Sequence, residues 1–135
     1  MQRLFSVLFI FLLFSCNGDS TNNGKEDIYE KSKLSMSEFE KGASVQFLSA
    51  TIKSKKNILG QRVVSGKISS SAKMVTFKDI NLTFRFYSKT GTLLEEDKET
   101  IYDSIPPGET ISFKTKYFAP KQTDSVAVEI TGAKS

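Results

Sequence analysis

Two patterns of apolar residues divide this chain. Residues 4–14 are apolar throughout except for Ser6, whereas from residue 43 onward β-branched and aromatic residues recur in short runs broken by turn-forming residues. The first run is too short to span a bilayer, which takes about 20 apolar residues. With Arg3 ahead of it, it reads as a signal peptide. The later runs alternate with a period of two, the mark of strands with one buried face, and their spacing of about 8 to 12 residues predicts an all-β sandwich.

Candidate strands fall at residues 45–53, 60–69, 75–87, 92–102, 110–118 and about 126–130, with room for a seventh within 69–75. The clearest is the third, where Ile80, Leu82, Phe84 and Phe86 alternate with Asn81, Thr83, Arg85 and Tyr87. Ser88 to Gly91 then forms a turn in which the glycine takes positive φ, making a hairpin with the fourth strand. Pro106-Pro107-Gly108 closes the fourth strand, because proline cannot donate to a ladder. The expected fold is an antiparallel β-sandwich of about six or seven strands over residues 43–135. Within it, residues 54–57 read as a basic loop between the first two strands; ahead of it, residues 28–42 read as a short helix or irregular lead-in, and residues 16–27 as a flexible tether. The tether stretch carries almost nothing apolar to bury, so ordering it would cost entropy without return.

Two resemblances sharpen this picture. Leu13-Phe14-Ser15-Cys16 resembles the lipobox of bacterial lipoproteins, in which the cysteine is diacylglycerated and becomes the first mature residue after residues 1–15 are removed. Phe14 departs from the small or aliphatic residue usual at its place. Cys16 is the chain's single cysteine, so lipidation also accounts for an odd thiol in an oxidising compartment. Residues 45–133 carry a "VSGKI" strand, a long alternating strand ending Phe86-Tyr87, a Thr90-Gly91 hairpin and a Pro106-Pro107-Gly108-Glu109 turn. They resemble the bacterial FxLYD-type domain and small Bacteroidetes lipoproteins of similar layout. The resemblance implies an immunoglobulin-like sandwich with no assigned activity. Asn17 lacks the acid linked to inner-membrane retention, which points to the outer membrane, with the side faced left open.

Composition narrows the chemistry. The chain has no histidine, which excludes Ser-His-Asp and Cys-His nucleophilic machinery and imidazole zinc sites, and it carries no glycine-rich phosphate loop. No cofactor is expected. Removing residues 1–15 takes Arg3 away and lowers the formal charge from +4 to about +3, with the excess spread rather than gathered as nucleic-acid binding requires. Carboxylate chemistry survives in Glu95, Glu96, Asp97 and Glu99, although alternation places Glu95, Asp97 and Glu99 together on what reads as a solvated edge strand.

Binding candidates are few. Lys53, Lys55 and Lys56, with Arg62 nearby, form the densest basic run and would suit anionic headgroups, lipopolysaccharide or an acidic partner, against the plainer reading of a solvated loop. Tyr87, Tyr102 and Tyr117 near strand ends would suit a ligand platform, or a tyrosine that holds a loop. Asp19-Ser20-Thr21 resembles the acceptor pattern of Bacteroidetes O-glycosylation, as do Asp103-Ser104-Ile105 and Asp124-Ser125-Val126. The expected role is a non-enzymatic, lipid-anchored interaction or structural module of the envelope, with a protein or glycan partner. The alternatives are a ligand-binding lipoprotein with tyrosines lining its pocket, and a carboxylate-dependent hydrolase.

Overall fold

The computed structural model describes residues 23–135. A helix, α1 (Asn23–Gly42), and a single helical turn, α2 (Ser44–Phe47), precede six strands: β1 (Leu48–Lys56), β2 (Arg62–Ser70), β3 (Lys78–Ser88), β4 (Leu93–Ile101), β5 (Thr110–Tyr117) and β6 (Thr123–Lys134). The strands form two three-stranded antiparallel sheets, in the orders β1-β2-β5 and β4-β3-β6. Chain-neighbouring strands pair within β1-β2 and β3-β4, while β5 and β6 return to the opposite sheets.

The sandwich core is where alternation placed it. Val64 and Ile68 of β2 and Phe113 of β5 face Ile80, Leu82, Phe84 and Phe86 of β3 and Ile130 of β6, all buried. Each such side chain contributes roughly 1.5–3 kcal/mol on leaving water. The rings of Phe84 and Phe113 meet across the two layers at 6.2 Å between centroids. Gly66 sits between Val64 and Ile68 on this inner face because the flanking strands β1 and β5 leave no room for a side chain there: a Cβ would lie 2.8 Å from both Ile52 Cγ2 and Phe113 Cε1.

One side of the sandwich is closed by β1 lying against β6, with α2 packed on both. On the other side, edge strands β5 and β4 are joined where the Tyr117 hydroxyl donates to the Glu99 carboxylate. The turn after β3 forms as expected, with Gly91 at φ +81° and its N–H donating to the Ser88 carbonyl at 2.9 Å. The double-proline turn is pinned by reciprocal backbone bonds between Phe77 and Ile105, both fully buried.

Several boundaries differ from the sequence reading. The segment expected as a short or irregular lead-in is a helix of 20 residues, and it begins inside the stretch expected to be a flexible tether. Lys and Glu supply eight of residues 25–41, with no Pro or Gly among them, so propensity favours it although its apolar positions are sparse. Glu30 and Lys33 add an ion pair at 3.3 Å one turn apart. Residues 45–47, expected in the first strand, belong to α2. Residues 54–56, expected in a loop, continue β1 because β2 reaches far enough to pair Lys56 with Arg62.

No seventh strand forms in residues 69–75. The backbone N–H groups of Lys73, Met74 and Val75, which a strand would spend on a ladder, are instead bonded at 2.7, 2.9 and 2.9 Å by the carboxylate of Glu40. That contact ties the end of α1 to the sandwich. Among the described residues no helix is long and apolar enough to cross a membrane.

Candidate interaction surface

The strand registers assign each sequence-level candidate a face. In the β1-β2-β5 sheet, the rows Thr51–Lys67–Ser112, Lys53–Ser65–Lys114 and Lys55–Val63–Lys116 alternate with the rows that fill the core. They therefore share the outer face, and their lysines are exposed. Lys53, Lys55, Lys67, Lys114 and Lys116 thus gather on one surface. By strand and residue spacing they lie within about 10 by 14 Å. The remaining positions of that face are serine or threonine except for Val63, and none is acidic. A shallow depression of about 510 Å³ opens in the middle, bordered by Lys53, Lys67 and Lys114 and by the hydroxyl residues Thr51, Ser65 and Ser112.

Lys56, the third member of the basic run, has the opposite parity and leaves this surface. It stands at the end of β1 opposite Arg62 and borders a separate depression of about 380 Å³ with Leu59, Phe118 and Lys121. The Arg62 guanidinium does not join the lysines. It is half-buried, donating to the Thr123 carbonyl and, at 3.3 Å, to Ser54 Oγ.

The other sheet presents a different outer face. Arg85, in the central strand, donates to Glu96 of β4 at 2.9 Å and to Glu129 of β6 at 2.6 Å. Those hydrogen bonds, Glu129's first, hold the guanidinium above its ordinary pKa. Lys98 and Glu129 flank Thr83 on the same face, so positive and negative groups alternate. By contrast, none of the five lysines on the β1-β2-β5 face forms an ion pair with a described residue.

The tyrosines do not converge. Tyr87 lies half-buried on the outer face of β3, Tyr102 stands 80% exposed beyond β4, and Tyr117 is on the inner side of β5. The Tyr117 ring packs on Phe84 and Phe86 at 5.2 and 5.4 Å. Burial, then the bond to Glu99, pushes its phenol well above the usual range, so it acts as a donor. None of the three principal depressions has a tyrosine in its lining.

The acids take the positions that edge protection calls for. Strand β4 is an edge, and Glu95, Asp97 and Glu99 are paired in register with Phe86, Phe84 and Leu82, so they sit on the core side of the sheet at its open margin. Glu95 and Asp97 are exposed while Glu99 is half-buried under Tyr117. Inward-pointing charge on an edge strand discourages pairing with another chain. Among the described residues, no three acids, cysteines or histidines are grouped to hold a metal ion.

Cys16 and Ser20 lie outside the described residues, as does most of the expected tether. Ser104 and Ser125, in the two other copies of the acceptor pattern, are exposed, Ser125 within β6. Sequence reasoning missed Lys67, Lys114 and Lys116 as members of the basic surface, since Lys67 stands alone in β2 and Lys114 and Lys116 lie far along the chain in β5. Their alternation with core residues was the available signal, but it does not reveal which strands are neighbours. The chain matches no family model, no curated protein and no solved structure.

Proposed function

We propose that the protein is a non-enzymatic, lipid-anchored module of the bacterial cell envelope, attached through Cys16 and meeting its partner through the outer face of the β1-β2-β5 sheet. The observation that carries this reading is the uneven charge of the two faces. One is internally neutralised by Arg85, Glu96 and Glu129. The other gathers five lysines with no acid among them, an arrangement whose self-repulsion is relieved only by counter-ions or an anionic partner. The ligand-pocket alternative draws no support from tyrosines that stand apart.

The sheet orders also suit an immunoglobulin-like sandwich, with β1-β2-β5 in the places of strands A, B and E and β4-β3-β6 in those of C′, C and F. The lipid assignment rests on the apolar run, the Leu13-Phe14-Ser15-Cys16 sequence and the single cysteine. Two or three acyl chains, at about 0.8 kcal/mol per buried methylene, hold a protein stably on a bilayer. The outer membrane is the expected location.

The test is mass spectrometry of the chain recovered from bacterial membranes, combined with affinity capture from the same envelope. The expected products lack residues 1–15 and carry acyl mass on Cys16, and Cys16→Ala leaves the membrane fraction after cleavage or stays unprocessed. An unmodified Cys16 thiol in the mature protein overturns the anchor. Retention by Lys53→Glu/Lys114→Glu of both partner capture and association with anionic bilayers overturns the assignment of the contact face.

A further inference from the structure

We infer that the lysine face of the β1-β2-β5 sheet docks on the anionic headgroup plane of the membrane that carries the chain. The inference deepens the proposed function and rests on its membrane tether.

The chemistry of the face selects this occupant. Protein interfaces are depleted in lysine and enriched in aromatics and arginine, and single-stranded nucleic acids are held by stacking on aromatic side chains. The outer face has no aromatic residue and no arginine, and Val63 is its one apolar member. What it offers is diffuse positive charge on flexible stems over a floor of hydroxyls. This suits a flat, laterally mobile layer of phosphates and needs no shape match. The central depression, ringed by Lys53, Lys67 and Lys114 with Thr51, Ser65 and Ser112, supplies hydrogen-bond donors at the level where phosphate oxygens would sit.

Edge protection by itself accounts for less. Lysines on the edge strands β1 and β5 discourage strand addition, but Lys67 belongs to the central strand β2, which needs no such guard. The edge strand β4 meets the same need with mixed charges.

Chain length keeps the face close to its target. Six residues separate Cys16 from the start of α1 at Asn23, a span of at most about 25 Å whatever their conformation, and α1 adds about 30 Å. The near end of the sandwich is thereby held within about 55 Å of the bilayer. Within that distance, electrostatic attraction too weak to recruit a free protein is enough to orient a tethered one. Each lysine near an anionic surface strengthens association on the order of five-fold.

The experiment uses the full chain reconstituted into vesicles of phosphatidylcholine alone or with about one-third phosphatidylglycerol. Lysines are labelled with an amine-reactive reagent and read by peptide mass spectrometry. The expected result is several-fold protection of Lys53, Lys55, Lys67, Lys114 and Lys116 in the anionic vesicles, reversed near 1 M salt where the Debye length is about 3 Å. Lys89 and Lys98 should label equally in both. Lys53→Glu/Lys67→Glu/Lys114→Glu should abolish protection of Lys55 and Lys116 while the protein still floats with the vesicles. Failure to float with any vesicle overturns the tether. Flotation with equal labelling of the face in both vesicle types overturns the docking alone. Protection that appears only when a soluble anionic polysaccharide is added to neutral vesicles assigns the face to a glycan and overturns the membrane as occupant.

Discussion

Glu40, only 1% exposed at the end of α1, accepts the backbone N–H of Val75 at 2.9 Å across 35 residues of sequence. The same carboxylate takes the N–H groups of Lys73 and Met74, so one side chain satisfies three consecutive donors in the connection from β2 to β3. A buried carboxylate is costly unless its oxygens are hydrogen-bonded, and buried N–H groups are costly unless they find acceptors. Each side of this contact therefore requires the other. Nearby, the edge-on contact of Phe39 with Phe47 at 5.8 Å adds a second point of attachment.

Replacing Glu40 with alanine should destabilise the chain by about 2–3 kcal/mol, since charge-assisted hydrogen bonds contribute roughly 1.5–3 kcal/mol each and the freed donors recover part of that from water. Glu40→Gln should cost less, because one oxygen remains to accept. Denaturant unfolding of the full chain gives the stability, and amide exchange at residues 73–75 should quicken in both variants. Unchanged exchange there would show that the carboxylate does not hold the connection.

The Tyr117 phenol makes stability fall in alkali. In the unfolded chain it ionises near its ordinary 10.0, while in the folded protein burial first and the Glu99 bond second hold the proton on. A group whose pKa is raised on folding contributes stability that is complete below the unfolded value. That contribution is lost as pH climbs toward the folded one. Urea midpoints measured from pH 8 to 11.5 should therefore drop less steeply above about pH 10 in Tyr117→Phe than in the wild-type chain. At pH 7 the same substitution should cost on the order of 1 kcal/mol. Parallel profiles would mean the phenol is not held as described.

Gly66→Ala should be among the most damaging small substitutions. The added methyl would meet the Thr51 carbonyl oxygen and the Ile52 and Phe113 side chains at once, and overfilling a packed layer costs typically 1–3 kcal/mol. Ser65→Ala, one position along on the outer face, serves as the comparison and should be nearly neutral by thermal melting. Equal effects at the two positions would contradict the assignment of faces.

Phe84→Ala should cost about 3–5 kcal/mol, the range for removing a large aromatic from a core. Phe84 is fully buried and its ring touches Phe113 and Tyr117, so the cavity would open between the two sheets. A loss under about 1 kcal/mol in denaturant unfolding would mean the layers close over the gap.

Alternation makes much of the sandwich legible in the sequence. Side chains on a strand change faces at every residue, so the positions of Ile80, Leu82, Phe84 and Phe86 state which face is buried wherever the strand ends up. The turns at Gly91 and Gly108 were readable for a similar reason, since both glycines take the positive φ that other residues avoid. Helix α1 was harder to see. Its few apolar residues include the exposed Ile28, Leu34 and Met36, and the residue that fixes it is an acid whose partners lie more than 30 positions away. No local pattern marks Glu40 as buried.

The sequence by itself determined which side of the strand alternation is buried, where the Gly91 and Gly108 turns fall and that imidazole chemistry is missing, because periodicity, backbone-restricted residues and the absence of histidine are properties of the chain alone. Only the tertiary structure decided which strands are neighbours, and with them the surfaces. Lys53, Lys67 and Lys114 lie far apart in sequence and become one patch through the registers of β1, β2 and β5. Lys56, a member of the basic run, and Arg62, close to it in sequence, fall on the opposite parity and outside that patch. Strand pairing is set by the summed burial of whole faces, to which a lysine on the solvent side contributes little, so local sequence holds almost no information about where such lysines meet.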